Sequence, residues 1–345
     1  MKMAVTIYDV AKKAGVSTAT VSRVINKLDN VKPKTERKVL DAMKALNFAP
    51  NTLAQNFATN RSKIIGLVTT LEISEQSQEI NNSTNSFYFT ELFRGINIVL
   101  QERGYDLLII NANEEVNGFW NSLIQKKRID GLIVSMQISN TEAFRKVIQE
   151  KLPLVYVGKI LDYDQGMHVY AHYYKYTDQI LRYFYENGHY KILFISYREQ
   201  KHMINMWEQL NFKSYNKMEI DYIELPVNSS SDVINGMICE IYSHEKIPTA
   251  IFVDELSVVQ PIMSILNSLG YAVPEDVSMI SVEHIKGFGN SYYPRITNVH
   301  VPVYEMGKAT ATLLLDYIEG KETIYDCQIT LESELIQRDS VKPIN

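Results

Sequence analysis

Residues 5 to 26, V-T-I-Y-D-V-A-K-K-A-G-V-S-T-A-T-V-S-R-V-I-N, constrain the fold more tightly than any other stretch of this 345-residue chain. Thr6 followed three residues on by Asp9 is a capping-box-like start, and Ile7, Val10, Ala11 and Ala14 then recur at the spacing of one buried helical face. The spacing predicts a helix over 7–14. Gly15 suits a left-handed turn position, Val16 can plug the interior, and Ser17 can accept a hydrogen bond from the free N–H groups of a second helix starting near Thr18. On that second helix Val21, Val24 and Ile25 form the inward stripe, while Thr18, Ala19, Ser22, Arg23 and Asn26 share the opposite face. A third helix is expected from Pro33 to about Leu46, with Val39, Leu40, Met43 and Leu46 on one side, closing a three-helix core.

A short polar helix face carrying one guanidinium is shaped to lie in a DNA major groove, where Arg23 could contact a guanine with two hydrogen bonds. A surface helical hairpin of a larger domain would show the same pattern. Charge separates the two readings. Residues 1–63 hold twelve Lys and Arg against four Asp and Glu, a net of +8, although the whole chain has a net charge of −5. A basic head on an acidic protein points that head at a polyanion. Beyond it, Asn47 to Asn51 breaks the helix, and Leu53, Ala54, Phe57 and Ala58 mark one face of a possible fourth. So short a segment is not helical alone in water and should form only when docked.

From Ile64 onward, short apolar runs alternate with helical segments. I-I-G-L-V-T-T-L, Y-D-L-L-I-I-N, D-G-L-I-V-S-M and P-L-V-Y-V-G make a first set, and K-I-L-F-I-S, Y-I-E-L-P-V, T-A-I-F-V-D and V-S-M-I-S-V a second. Apolar runs bounded by turns and separated by helices describe buried parallel sheets, so the expectation is an α/β fold of two doubly wound lobes behind a small all-α head. Such a pair takes its ligand where the carboxyl ends of the two sets of strands face each other. No signal peptide, bilayer-length apolar run or low-complexity tail is seen, so a cytoplasmic protein without membrane association is expected. Cys239 and Cys327 fit neither a disulfide framework nor a metal ribbon. No phosphate-binding or dinucleotide glycine motif and no nucleophile elbow occurs, so neither a cofactor nor catalysis is expected. His168 and His172 have the spacing of a metal pair but lack companion ligands, and no metal is expected.

Two stretches carry a specific resemblance: T-I-Y-D-V-A-K-K-A-G-V-S-T-A-T-V-S-R-V-I-N and K-T-E-R-K-V-L-D-A-M-K-A-L-N-F-A-P-N. Over about sixty residues they resemble the N-terminal domain of the LacI/GalR family of bacterial transcription regulators. Further phrases follow in family order along the rest of the chain: F-T-E-L-F-R-G-I, I-D-G-L-I-V, N-G-H, P-T-A-I-F-V-D, L-G-Y-A-V-P-E-D-V-S and P-R-I-T-N-V. These resemble the family's effector domain, which is related to periplasmic sugar-binding proteins. The resemblance implies a helix-turn-helix domain over 1–50, a hinge over 51–62 and an effector and dimerisation domain over 63–345. Within the last, the N-terminal lobe would take about 63–166 plus 300–330, and the C-terminal lobe about 167–299 plus 331–345. The chain would cross between lobes near 167, 299 and 331.

In that family paired hinge helices enter the minor groove and push a leucine between base pairs; this chain has Phe57 there, with Leu53 and Ala54 beside it. An aromatic wedge can also unstack a base step, and packing of Phe57 against a partner helix or the core is the alternative. The effector positions depart further. An aspartate usual seventeen residues before the histidine of the G-H pair is His172 here, His202 is the nearest stand-in for an absent Arg-x-x-Gly-Phe, and G-F-D-D becomes Ser281-Val282-Glu283-His284. Asp254 stands where the family keeps an acidic effector contact; its carboxylate could bind two sugar hydroxyls, cap the following helix, or do both. Phe87 and Tyr88 could stack on a sugar face or could belong to the apolar face of the helix that follows.

The resulting expectation is a homodimeric regulator, most simply a repressor of a carbohydrate-utilisation operon, whose affinity for a near-palindromic double-stranded operator responds to a small sugar or sugar derivative. Thr18, Ala19 and Arg23 would read bases, and Thr6, Tyr8, Ser17, Thr20, Asn26 and Thr35 would position phosphates. Asp254, Phe87, Tyr88, His172, His202 and Glu283 are the candidate effector contacts. The alternative keeps the head and makes a protein partner the main input.

Overall fold

The computed structural model describes residues 5–25, 31–48, 61–69, 83–111, 128–135, 152–158, 166–197, 207–208, 215, 218–226, 229–244, 246–254, 256–321 and 326–344. The head consists of α1 (Ile7–Ala14), α2 (Thr18–Ile25) and α3 (Pro33–Leu46). The Asp9 carboxylate accepts hydrogen bonds from the Thr6 N–H at 2.8 Å and the Thr6 hydroxyl at 2.7 Å, which start α1 and hold the acid below the usual carboxylate range. Gly15 ends α1 at φ 66°, and the next amide, of Val16, reaches back to the Ala11 carbonyl at 3.1 Å. Val10, Ala11, Val21, Val24, Val39 and Ala42 are buried together, with Ile7, Ala14, Val16, Ile25, Met43, Leu46 and Phe48 packed around them. Leu40 departs from the expected inward stripe. Ala42 takes the inner place with Val39 and Met43, and Leu40, one residue and so about 100° round the helix from Val39, is 49% exposed.

The first lobe contains β1 (Ile64–Thr69), α4 (Ser83–Glu102), β2 (Asp106–Asn111), β3 (Gly131–Ser135), β4 (Leu154–Val157) and β5 (Met167–Ala171). The second contains α5 (Tyr173–Glu186), β6 (Lys191–Tyr197), β7 (Glu219–Leu225), α6 (Ser231–Tyr242), β8 (Ala250–Val253), α7 (Val259–Ser268), β9 (Ser278–Glu283) and β10 (Thr297–His300). The chain then returns through α8 (Val303–Ile318) and β11 (Gln328–Leu331) to the first sheet, and ends with β12 (Glu334–Ile336) on the second. The sheet orders are β11-β5-β4-β3-β1-β2 and β12-β10-β9-β8-β6-β7. Every pairing is parallel except β10 with β12. β4 and β8 are buried at every residue, which is why their sequences are apolar runs rather than alternations; β9 is buried throughout as well, but its Ser278, Ser281 and Glu283 are hydrogen-bonded within the second lobe.

The first crossing between lobes falls later than the expected 167. Met167, Val169 and Ala171 are fully buried in the first sheet, paired to β4 on one side and β11 on the other, so the chain leaves that sheet only at His172. The other two crossings follow β10, at Val301 and Pro302, and follow β11, at Glu332 and Ser333. The expected helices near 119–127 and after residue 136 lie outside the described residues.

Candidate nucleic-acid interface and inter-lobe cleft

In the head, the packing of Val21 and Val24 turns the other face of α2 outward, so Ala19 and Arg23 are exposed and Thr18 is half-buried. At the start of α2 the Ser17 hydroxyl oxygen accepts the Thr20 N–H at 3.2 Å and lies 2.9 Å from the Thr20 hydroxyl. An N-cap of this kind stabilises a helix by about 0.5–2 kcal/mol, and here it fixes the first turn of α2 against the turn that follows α1. Tyr8 is 73% exposed, Thr6 is exposed and Thr35 half-buried. Thr6, Ser17 and Thr20 thus already hold intramolecular partners, which orient their hydroxyls. Asn26, Leu53, Ala54 and Phe57 lie outside the described residues.

Where the chain emerges from the expected hinge, it is clamped. Asp130 accepts the Ser62 N–H at 2.6 Å, the Ser62 hydroxyl at 2.9 Å and the Lys63 N–H at 2.9 Å. Arg61 donates at 2.7 Å to the carbonyl of Ile318, the last residue of α8, which lacks an intrahelical partner. The segment entering the first lobe is therefore tied both to the start of β3 and to the end of the helix that returns from the second lobe.

The two lobes meet through aromatic side chains. Phe87 on α4 packs on Phe288 of the second lobe with ring centroids 5.2 Å apart, and Tyr88 meets His284 edge-on at 5.4 Å. Phe87, Leu256, His284, Ile285 and Phe288 line a recess between the lobes. Phe87 and Tyr88 thus do face the inter-lobe cleft, touching the opposite lobe. Asp254 sits at the carboxyl end of β8, two residues before Leu256, 8% exposed and with its Oδ2 buried and unpartnered. Burial pushes its carboxyl up to about 8. His284 presents a buried, unpartnered Nδ1, and burial, followed by the nearby His300, lowers it to about 4.

Glu283 does not fit the role of an effector contact. Its carboxylate is wholly buried and engaged: it accepts the Gly287 N–H at 3.1 Å, the Gly289 N–H at 3.0 Å and the Arg338 guanidinium at 3.2 and 3.3 Å. His172 is exposed at the first crossing, immediately before α5, and His202 lies outside the described residues. Sequence reasoning did not single out Arg338 or Phe288. Their partners, Glu283 and Phe87, are remote in the chain, and the only local hint was the departure of Ser281-Val282-Glu283-His284 from the family pattern. Among the described residues no cluster of three or more His, Cys, Asp or Glu is placed to hold a metal ion, and no helix is long and apolar enough to cross a membrane.

Comparison with known proteins finds matches to two family models. Residues 6–51 match the model described as bacterial regulatory proteins, lacI family, and residues 181–341 match the periplasmic binding protein-like domain. The HTH-type transcriptional repressor PurR of Vibrio vulnificus is 30% identical over 358 residues, covering 99% of each chain. The lac repressor dimer bound to operator and an anti-inducer superposes with a TM-score of 0.79 at 20% identity, covering 98% of this chain and 99% of that one. A transcriptional regulator CelR–cellobiose complex superposes with a TM-score of 0.67 at 23% identity, covering 97% and 99% respectively.

Proposed function

This chain belongs to the LacI family of bacterial regulatory proteins and is a DNA-binding transcriptional repressor, and from that premise we propose that a homodimer reads the two half-sites of a near-palindromic operator with paired α2 helices. Thr18, Ala19 and Arg23 read bases; Thr6, Tyr8, Ser17, Thr20, Asn26 and Thr35 position phosphates; Leu53, Ala54 and Phe57 carry the hinge into the minor groove. The observation that carries this reading is the exposed Ala19 and Arg23 on a helix whose opposite side, Val21 and Val24, is locked into the head core. Duplexes selected from a random pool by the full-length protein supply the test. Arg23→Ala should lose preference for the selected motif, at about 1–3 kcal/mol, while weak nonspecific binding persists. An equal loss on random DNA would sink Arg23 as a base reader.

The effector in this reading is a small sugar or sugar derivative bound between the lobes, and the operon under control serves carbohydrate use. Support comes from the buried, unpaired Asp254 oxygen at the end of β8, which suits a sugar hydroxyl able to donate or accept a hydrogen bond, and from the cellobiose bound by the structurally similar CelR. Effector binding changes the lobe angle and so the spacing of the two hinges, through a difference in affinity for the two states. A panel of mono- and disaccharides, with free nucleobases as a second arm, tests this by thermal shift and by operator affinity. Stabilisation by nucleobases alone overturns the sugar assignment. The second reading, a protein partner as the main input, is favoured by the engagement of Glu283 within its own lobe. It gains if neither arm shifts melting or operator affinity while a protein coregulator tightens operator binding.

A further inference from the structure

The turn from Gly287 to Gly289 carries Phe288, the side chain that meets Phe87 of the other lobe. Both flanking amides donate to one carboxylate, Gly287 N–H to Glu283 Oε1 and Gly289 N–H to Glu283 Oε2. That carboxylate is held in turn by Arg338, whose guanidinium also donates to the Ile296 carbonyl and to Asn298 Oδ1, each at 2.6 Å. The fit is tight. A Cβ added at Gly289 would lie 1.9 Å from Asn298 Oδ1 and 2.5 Å from the Arg338 guanidinium, so only glycine lets the turn sit under the arginine. Arg338 itself follows β12, just past the third crossing between lobes, and Lys286 of the same loop pairs with Glu334 of β12 at 2.8 Å.

We propose that Glu283 and Arg338 are positioning residues for lobe closure: together they hold the Gly287–Gly289 turn so that Phe288 latches onto Phe87, and they link that latch to the crossing strand. A shift of the third crossing moves Arg338 and hence the turn; parting of the latch frees the turn in the reverse direction. This rests on reading the space between the lobes, beside which the aromatic contact lies, as the effector seat.

Spin labels at cysteines replacing the exposed Gln101 on the first lobe and His244 on the second, with Cys239 and Cys327 changed to Ala, report lobe separation in the ligand-free full-length protein. Labelled protein diluted into unlabelled protein restricts the measured pairs to one protomer. The starting protein should give one narrow distance distribution, Phe288→Ala a broader and longer one, and Phe288→Leu an intermediate one. Arg338→Gln should widen it as Phe288→Ala does, and the double variant no further than either single one, because the arginine acts through the phenylalanine. Should Arg338→Gln fail to fold, Glu283→Gln takes its place. An unchanged distribution in Phe288→Ala overturns the latch, and additive widening in the double variant overturns the positioning role. Since no effector is present, neither failure bears on the sugar reading.

Discussion

The Arg338 guanidinium meets the Glu283 carboxylate at 3.2 and 3.3 Å, with side-chain exposures of 5% and 0%. Removing one partner from a buried, hydrogen-bonded pair strands the other charge and costs about 3–5 kcal/mol, whereas replacing both by apolar residues of similar volume is often neutral. Denaturant unfolding of Arg338→Met should therefore show a loss in that range, and the double variant Glu283→Leu/Arg338→Met should recover part of it. A double variant as unstable as the sum of the singles would mean that the carboxylate's main task is satisfying the Gly287 and Gly289 amides rather than the arginine.

Asp130 predicts an effect on DNA binding from a residue outside the segments expected to touch DNA. Its carboxylate fixes the backbone amides of Ser62, the last residue of the expected hinge, and Lys63, the first residue after it. A hydrogen bond to a charged acceptor is worth about 1.5–3 kcal/mol, and two amides and a hydroxyl would be released together by Asp130→Ala. Fluorescence anisotropy on a selected duplex should show weaker binding, because the hinge then starts from an unanchored chain, while Asp130→Asn keeps part of the affinity. Unchanged affinity with a lowered melting temperature would reduce Asp130 to a purely structural residue.

What was legible in the sequence follows from the range of the interactions involved. The head could be read residue by residue because Thr6 with Asp9 and Ser17 with Thr20 are contacts within one helical turn, and the core stripes recur every three or four residues. Leu40 was misplaced because a third-helix stripe tolerates two phases, and only the packed partners choose Ala42 over it. The lobes were legible because strands buried on both faces, such as β4 and β8, are runs of apolar residues. The cleft was not. Whether Glu283 faces a ligand or an arginine depends on a residue 55 positions away, and the pairing of Phe87 with Phe288 depends on how two separately wound lobes close.

Asp254 and His284 give the protein opposed pH dependences. With its carboxyl raised from an ordinary 3.8 to about 8, Asp254 holds its proton more tightly in the folded state. The stability it contributes is complete below about pH 4 and is lost as pH rises towards 8. His284, lowered from 6.5 to about 4, behaves in the other sense: its contribution is present above pH 6.5 and is lost as pH falls towards 4. Each slope is at most about 1.4 kcal/mol per pH unit. Unfolding of Asp254→Asn followed from pH 4 to 8 should lack the alkaline decline of the unaltered protein. His284→Leu should lack the acidic one, and an unaltered alkaline decline in Asp254→Asn would show that its carboxyl is ionised in the folded protein.

The packing of α4 against α8 rests on two glycines. A Cβ added at Gly95 of α4 would lie 2.0 Å from the Tyr304 carbonyl oxygen and 3.0 Å from the Lys308 nitrogen. One added at Gly307 of α8 would lie 2.4 Å from the Leu92 carbonyl oxygen and 3.1 Å from the Cα of Gly95. The obstacles are backbone atoms, which a rotamer change cannot move aside, so either Gly→Ala change must push the helices apart. Overpacking of a well-packed contact costs about 1–3 kcal/mol, well above the gain of up to about 1 kcal/mol that alanine brings to a helix interior. Gly95→Ala and Gly307→Ala should therefore each lower the denaturation midpoint. Once one substitution has separated the helices, the second finds its space already made, so the double variant should lose clearly less than the two losses combined. Full additivity would show that each glycine is needed for its own local backbone and not for the shared approach of the helices.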